Sequence, residues 1–142
     1  MIKLFLSILF NSYYQPGYFS QSPISEKVQI ELRKATFNNW PWSEAWLIRF
    51  VRQMFVDLAL VTHFKLQLAQ LDKWLCDVYR RYNRVPFHNY LHAFMVCQMA
   101  YAILWAANLA EILDKEEQLI ILVSAICHDL DHPGFNNAYQ VS

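Results

Sequence analysis

Four of the five histidines lie in two short segments of the chain, PFHNYLH and ICHDLDHPGFNN. In the first segment, His88 and His92 are four residues apart, so on a helix they would project from one face. In the second, His128 and His132 have the same spacing, and Asp129 places a carboxylate beside an imidazole. Imidazole and carboxylate groups together are typical ligands of Zn²⁺ and of two-metal hydrolytic sites. The spacing therefore predicts a divalent-metal site.

The apolar run QLIILVSAIC leads directly into His128. We expect a helix there to enter the core, with Asp129 at its buried end. A buried carboxylate needs a cation or hydrogen bonds to stay ionised, and a bound metal ion would provide that charge. Two histidine clusters, one with an acid at a buried helix end, favour metal ligation over ordinary packing of the histidines.

The remaining candidate ligands are interpreted as packing residues. His63, in THFK, is isolated on an apolar stretch, where histidine usually packs or caps. Cys97 and Cys127 are nominal ligands, but Cys127 would point about 100° around a helix from His128. A stripe of aromatic residues at helical spacing is assigned to the core: Tyr90, Phe94, Tyr101 and Trp105. The sequence contains no glycine-rich phosphate loop, GxSxG or HExxH, so it gives no support to the chemistries of those motifs.

Composition and charge limit the remaining classes of function. The 142 residues fit one domain, and a hydrophobic content of 56% with 17% charged residues argues against disorder. The formal net charge is zero, so bulk charge attracts the chain neither to nucleic acid nor to an acidic membrane surface. The three cysteines are far apart and form no CxxC pair, which is typical of reduced intracellular thiols. We therefore predict a cytoplasmic protein.

The elements that position these residues are predicted to be helices. After residue 26, apolar residues recur at spacings of three and four, and no convincing strand pattern appears. Asp114 and Glu117 form a capping-box pattern before the last apolar run. We expect an all-α fold with helices over residues 26–36, 43–59, 66–82, 89–109 and 115–128.

Residues 1–26 are predicted to be a leader and linker, and residues 27–142 the folded domain. The start, MIKLFLSILF, resembles a very short signal segment, but no small-residue cleavage pattern follows it. A membrane span would need roughly 20 apolar residues. The following NSYYQPGYFSQSPISE mixes Pro, Gly, Ser and Asn, which indicates a loop.

The two histidine segments resemble those of the class I 3′,5′-cyclic nucleotide phosphodiesterases. HDLDHPGFNN, followed by Tyr139, matches the HDxxHxGxxN signature of that family, and FHNYLHAFMVCQ resembles its upstream HNxxH segment. The flanking sequences ELRKATFNNWPW and LDKWLCDVYRRYNRVPFHN are most similar to the high-affinity, cGMP-specific type-nine branch. The resemblance runs from about residue 31 to residue 140. It implies the amino-terminal part of a multi-helix, HD-type catalytic domain.

The resemblance also implies a set of metal ligands. His92, the second histidine of the first motif, and the pair His128 and Asp129 correspond to zinc ligands of the family. Asp129 would also bridge to a second ion, usually Mg²⁺, or Mn²⁺ in its place. The cofactors implied are therefore Zn²⁺ and Mg²⁺ (or Mn²⁺).

Three further residues correspond to catalytic or substrate-binding positions. The resemblance implies that His88 is the general acid, which protonates the leaving O3′ oxygen. From its spacing alone, His88 would be interpreted as a metal ligand. His132 corresponds to a histidine near the metals that orients the hydroxide network, and Asn137 to an asparagine near the substrate pocket. Phe87 stands where much of the family has tyrosine, as in the type-nine branch.

The activity implied is hydrolysis of 3′,5′-cyclic nucleotides to 5′-monophosphates, with cGMP favoured over cAMP. The implied partners are the cyclic nucleotide and, through the full domain, a second copy in a homodimer. The family's fourth zinc ligand, its purine-reading glutamine and its base-clamp phenylalanine have no counterpart in the 142 residues. We therefore expect this chain alone to be inactive or nearly so, because a pocket without its far wall positions substrate poorly.

The alternative is a non-catalytic product. In that interpretation, the chain is a truncated isoform or fragment that binds a metal weakly, or binds other helical domains as a helical module. Continuation of the reading frame past Ser142 would favour the enzyme, and a stop codon there would favour the alternative.

Overall fold

The computed structural model describes residues 23–135, and every regular element within that range is a helix. This confirms the predicted all-α class. The predicted leader and most of the linker lie outside the described residues. The helices are α1 (Glu26–Leu32), α2 (Glu44–Asp57), α3 (Leu60–His63), α4 (Leu68–Arg80), α5 (Tyr90–Ala106), α6 (Leu109–Ile112) and α7 (Lys115–Cys127).

All five predicted helices end earlier than expected; those over 26–36, 66–82 and 115–128 end at Leu32, Arg80 and Cys127. In the other two, a left-handed residue follows the helix end. The helix expected over 43–59 ends at Asp57, because Ala59 takes a left-handed conformation with φ of 56° before α3 begins. The helix expected over 89–109 ends at Ala106, because Asn108 has φ of 55°, and α6 follows. Each left-handed residue interrupts the helical conformation, and one short helix that the sequence pattern did not reveal follows it.

The start of α7 confirms the predicted capping box. The Asp114 carboxylate accepts a hydrogen bond from the Glu117 amide at 2.8 Å, and the Glu117 carboxylate accepts one from the Asp114 amide at 2.9 Å. These bonds satisfy amide groups that a helix start leaves without partners.

The core lies where α5 packs against α7 on one side and α2 on the other. Phe50 of α2 and Phe94 of α5 are fully buried, and Phe37 makes edge contacts with both rings. Of the aromatic stripe assigned to the core, Tyr90, Phe94 and Tyr101 are buried and Trp105 is partly buried. That assignment is therefore confirmed.

Polar contacts attach α1 and α2 to α5. The Arg33 guanidinium donates two hydrogen bonds to the Asp57 carboxylate, at 2.9 and 2.6 Å, and the Tyr101 hydroxyl donates to the same carboxylate. The buried Gln98 side chain donates to the carbonyls of Leu32 and Lys34. The ends of α1 and α2 are therefore both attached to α5.

One face of α5 remains uncovered by the described residues. Met95, Met99 and Ile103 follow each other at intervals of four and are 46%, 41% and 50% exposed. Residues at this spacing share one side of a helix. Within residues 23–135, none of the helices combines the length and the apolarity needed to cross a membrane.

Candidate metal centre

The start of α5 positions His92. Asn89 precedes the helix, and its side-chain oxygen accepts a hydrogen bond from the His92 amide at 3.1 Å. The amide nitrogen of the same side chain donates to the Val85 carbonyl at 3.0 Å. Tyr90, the first residue of α5, is buried and anchors the helix start in the core. His92 is thus held in the first turn of a capped helix.

The end of α7 positions His128 and Asp129. Leu122 and Ile126 bury one side of this helix, as the apolar run predicts. The helix ends at Cys127, with His128 as its C-cap. The side chain of Asp129 is only 15% exposed, which places the carboxylate at the buried end of the helix, as expected.

Three predicted ligands bring their donor atoms together. Asp129 Oδ2 lies 2.9 Å from His128 Nε2 and 3.3 Å from His92 Nε2. The two Nε2 atoms are 3.2 Å apart. The three atoms therefore form a nearly equilateral triangle, drawn from two helices that are far apart in sequence.

The hydrogen-bond pattern leaves lone pairs facing the centre of this triangle. His128 Nδ1 lies 2.9 Å from the Ala125 carbonyl, which can only accept, so Nδ1 carries the proton and Nε2 of the neutral ring has a free lone pair. Burial is the main cause that lowers the pKa of His92, and the nearby His128 lowers it further, while Asp129 opposes the shift. Both rings are therefore suited to be neutral ligands.

The triangle fits a zinc ion. With Zn–N and Zn–O bonds of about 2.0–2.1 Å in a tetrahedron, two ligand atoms are separated by about 3.3–3.4 Å. The observed separations, 2.9 to 3.3 Å, are close to that edge length. Asp129 Oδ2 is also buried and accepts no well-formed hydrogen bond from the described residues. A buried carboxylate oxygen without a donor favours a cation at this position.

His88 and His132 lie beside the triangle but outside the helices. His88 precedes the N-cap of α5, and His132 follows the end of α7. The four-residue spacing in each motif therefore does not place its two histidines on one face of a helix. Their rings stack on each other with centroids 3.9 Å apart. One donor atom each of His88, His132 and Asp129 also lies within 4.8 Å of the others.

Two residues of the loop after α7 have a left-handed backbone conformation. Asp131 has φ of 59° and Gly134 has φ of 85°. The Gly134 amide donates to His132 Nδ1 at 3.0 Å, which fixes the orientation of that ring. An alanine at Gly134 would place its Cβ 2.9 Å from Val85 Cγ1, so the loop approaches the α4–α5 connection closely.

The other residues considered from the sequence fall outside this centre. His63 lies on α3 with its ring against Phe64. Cys97 is buried with its thiol 3.9 Å from the Leu122 carbonyl, and Cys127 is partly buried. None of these belongs to the donor groups that converge within the described residues. The burial of Cys97 and Cys127 agrees with their interpretation as packing residues, whereas His63 is exposed. Asn137 lies outside the described residues.

Sequence reasoning did not identify three residues that support the centre. Asn89 has a detectable signal, because asparagine directly before a helical pattern is a common N-cap. Tyr82 and Asn83 contact residues of the second motif more than 40 positions away in sequence. Contacts over such separations leave no local pattern in a single sequence.

Comparisons with known proteins agree with this geometry. A family model described as 3′5′-cyclic nucleotide phosphodiesterase matches residues 87–142. The high affinity cGMP-specific 3′,5′-cyclic phosphodiesterase 9A of Drosophila melanogaster is 49% identical over 118 residues, which are 83% of this chain and 8% of the relative. The human protein of the same description is 42% identical over 111 residues, 78% of this chain and 19% of its own length. The chain thus spans less than a fifth of either relative.

A solved structure shares the fold. The phosphodiesterase domain of the RhoPDE fusion protein from the choanoflagellate Salpingoeca rosetta superposes with a TM-score of 0.72 at 34% sequence identity. The superposition covers 78% of this chain and 34% of that domain structure. The described helices therefore have the arrangement found in one part of that larger domain.

Proposed function

The chain belongs to the 3′,5′-cyclic nucleotide phosphodiesterase family and is most similar to its type-nine branch, and on this premise we propose that it supplies the amino-terminal part of a catalytic domain. That domain would hydrolyse cGMP, in preference to cAMP, to the 5′-monophosphate. The observation that carries the proposal is the triangle of His92, His128 and Asp129 donor atoms with edges near those of a zinc site. The cGMP preference rests on the names of the two relatives described above.

In this proposal, His92 and His128 would hold Zn²⁺ through their Nε2 atoms, and Asp129 through its buried carboxylate oxygen. Asp129 would also contribute to holding the second ion, Mg²⁺ or Mn²⁺. Such ions lower the pKa of bound water and neutralise charge that develops on a phosphoryl group. The protein's own contribution is to keep the three donor atoms at fixed separations in a site open on one side.

His88 would act as the general acid. Its ring centroid lies 5.8 Å from that of His92. The His88 imidazole is therefore close to the proposed ligands but is not part of the triangle. Imidazole titrates near neutral pH and suits the delivery of a proton to the leaving O3′ oxygen. His132, stacked on His88, would hold that ring in place. Asn137 is proposed to lie near the substrate pocket.

The 142 residues by themselves are expected to hydrolyse cGMP slowly or not at all. The residues that read the purine in the family have no counterpart among these 142 residues, so substrate would be positioned poorly even though three protein ligands can hold a zinc ion. A second candidate function follows from the same geometry: because the triangle forms within this chain alone, a metal-binding helical module without catalysis is the alternative.

A chimeric protein distinguishes the catalytic function from the metal-binding module. Residues 31–140 of this chain would replace the matching segment of the Drosophila phosphodiesterase, and formation of 5′-GMP from cGMP would be followed. We expect the graft to be active and His88→Ala to lower kcat by about 10²–10⁴-fold, the usual contribution of a general acid, without loss of bound zinc. His63→Ala is the matched control, since this histidine lies away from the centre and should leave kcat unchanged.

Two results would overturn the proposal. A graft that folds and binds zinc but forms no 5′-GMP would favour the metal-binding module. A His88→Ala graft as active as its parent would remove His88 from the role of general acid, while leaving the metal ligands in place.

A further inference from the structure

The connection between α4 and α5 contacts both histidine motifs, and we propose that Tyr82 and Asn83 within it are positioning residues for the metal centre. We call residues 81–85 the bridging segment. The inference rests on the proposed function, because it concerns the donor atoms of the same site. It adds residues that neither motif contains and that are not among the donor groups that converge there.

Tyr82 holds the backbone on both sides of His128. Its side chain is buried, and its hydroxyl donates to the Ile126 carbonyl at 2.9 Å and accepts from the Asp129 amide at 3.4 Å. Ile126 belongs to the last turn of α7, whereas Asp129 follows the helix. A single hydroxyl thus fixes the helix end and the first residue after its C-cap, which carries the carboxylate of the triangle.

Asn83 holds the loop that follows. Its side-chain amide donates to Asp131 Oδ1 at 3.3 Å and to the His132 carbonyl at 3.1 Å. The Asp131 amide donates to the Arg81 carbonyl at 3.0 Å, where the chain turns through a left-handed residue. These bonds place His132 where its ring stacks on His88.

The same segment reaches the first motif through Val85. The Val85 carbonyl accepts from the Asn89 side chain, whose oxygen caps α5 at the His92 amide. The bridging segment is therefore bonded to the second motif at one end and to the N-cap of the first at the other. Because the donor atoms of the triangle come from both motifs, the segment sets their separation, and a displacement of about 1 Å at such a site is costly.

The test compares two tyrosines that contact the same ring, that of Tyr90. Tyr79 and Tyr82 both make edge contacts with the Tyr90 ring, with centroid separations of 5.0 and 5.9 Å, but the Tyr79 hydroxyl donates to Glu44, whereas the Tyr82 hydroxyl donates to Ile126. Zn²⁺ affinity by chelator competition and the visible spectrum of the Co²⁺-loaded chain would be measured for Tyr82→Phe, Asn83→Ala and the control Tyr79→Phe. The Co²⁺ spectrum reports ligand geometry and is independent of catalytic activity.

We expect Tyr82→Phe and Asn83→Ala each to weaken Zn²⁺ binding by about 10-fold or more and to alter the Co²⁺ spectrum, as is usual when a group that orients a ligand is lost. Tyr79→Phe should do neither. Wild-type affinity and spectrum in both variants would overturn the inference. Asn83→Ala should disturb folding less than Tyr82→Phe, because Asn83 is exposed and Tyr82 is buried.

Amide hydrogen exchange separates this inference from the proposed function. In the metal-free chain, Tyr82→Phe should speed exchange at the Asp129 amide, and Asn83→Ala should speed it at the Asp131 amide. If the wild-type chain binds no Zn²⁺, the proposed function fails, and the exchange result alone decides the positioning role. Unchanged exchange at both amides would refute it.

Discussion

Replacing Gly134 with alanine should destabilise the loop that carries His132. Gly134 has φ of 85°, a left-handed conformation that costs an L-residue about 1–2 kcal/mol. The added Cβ would lie 2.9 Å from Val85 Cγ1 and 3.2 Å from Val85 Cβ. Since the Cβ of Val85 is fixed to the backbone, rotation of the side chain cannot relieve both contacts, and such overpacking costs about 1–3 kcal/mol. We expect the free energy of unfolding to fall by about 2–5 kcal/mol.

A double-mutant cycle measured by urea denaturation separates these two contributions. Val85→Ala removes both Cγ atoms, so in the Gly134→Ala/Val85→Ala protein most of the steric share should be recovered, while the left-handed backbone share remains. A loss below about 0.5 kcal/mol for Gly134→Ala, as for an ordinary surface change, would refute the conformational argument. Strictly additive effects of the two substitutions would refute the steric one.

Three further predictions concern stability and are all measured by urea denaturation. Asp57→Ala should cost about 2–3 kcal/mol, because the Arg33 guanidinium and the Tyr101 hydroxyl lose their shared acceptor; a loss below about 0.5 kcal/mol would contradict this. Asp114→Ala should cost about 1 kcal/mol through loss of the capping box, and wild-type stability would contradict it. Burial raises the pKa of the Cys97 thiol, so above about pH 8.5 the unfolded chain loses this proton first and stability falls as pH rises. Cys97→Ala should reduce that slope by about 1.4 kcal/mol per pH unit, and an unchanged slope would contradict the assignment.

Much of the helical framework is predictable because it depends on local patterns. Apolar spacing locates the long helices, and the Asp114 capping box marks the start of α7 within the sequence itself. The left-handed turns are less predictable. Asn108 is a residue type that tolerates positive φ, whereas Ala59 carries no such signal and must be held there by its surroundings.

The candidate site is predictable in its residues more than in its geometry. Clustering of histidines beside Asp129 predicts a metal centre, and the donor atoms do converge. Helical spacing, however, does not separate the proposed ligands from the proposed general acid, because His88 and His132 lie beyond the helix ends. Their positions depend on loop bonds to residues far away in sequence, which no periodic pattern encodes.

Zinc binding by the purified chain tests the central claim most directly. Equilibrium dialysis would compare the wild-type chain with Asp129→Asn and with His63→Ala as a histidine control. We predict one tightly bound Zn²⁺ in the wild type and the control, and an affinity at least about 10-fold lower in Asp129→Asn, which replaces the anionic ligand. Equal zinc uptake by all three, or none by the wild type, would contradict a metal centre built from His92, His128 and Asp129.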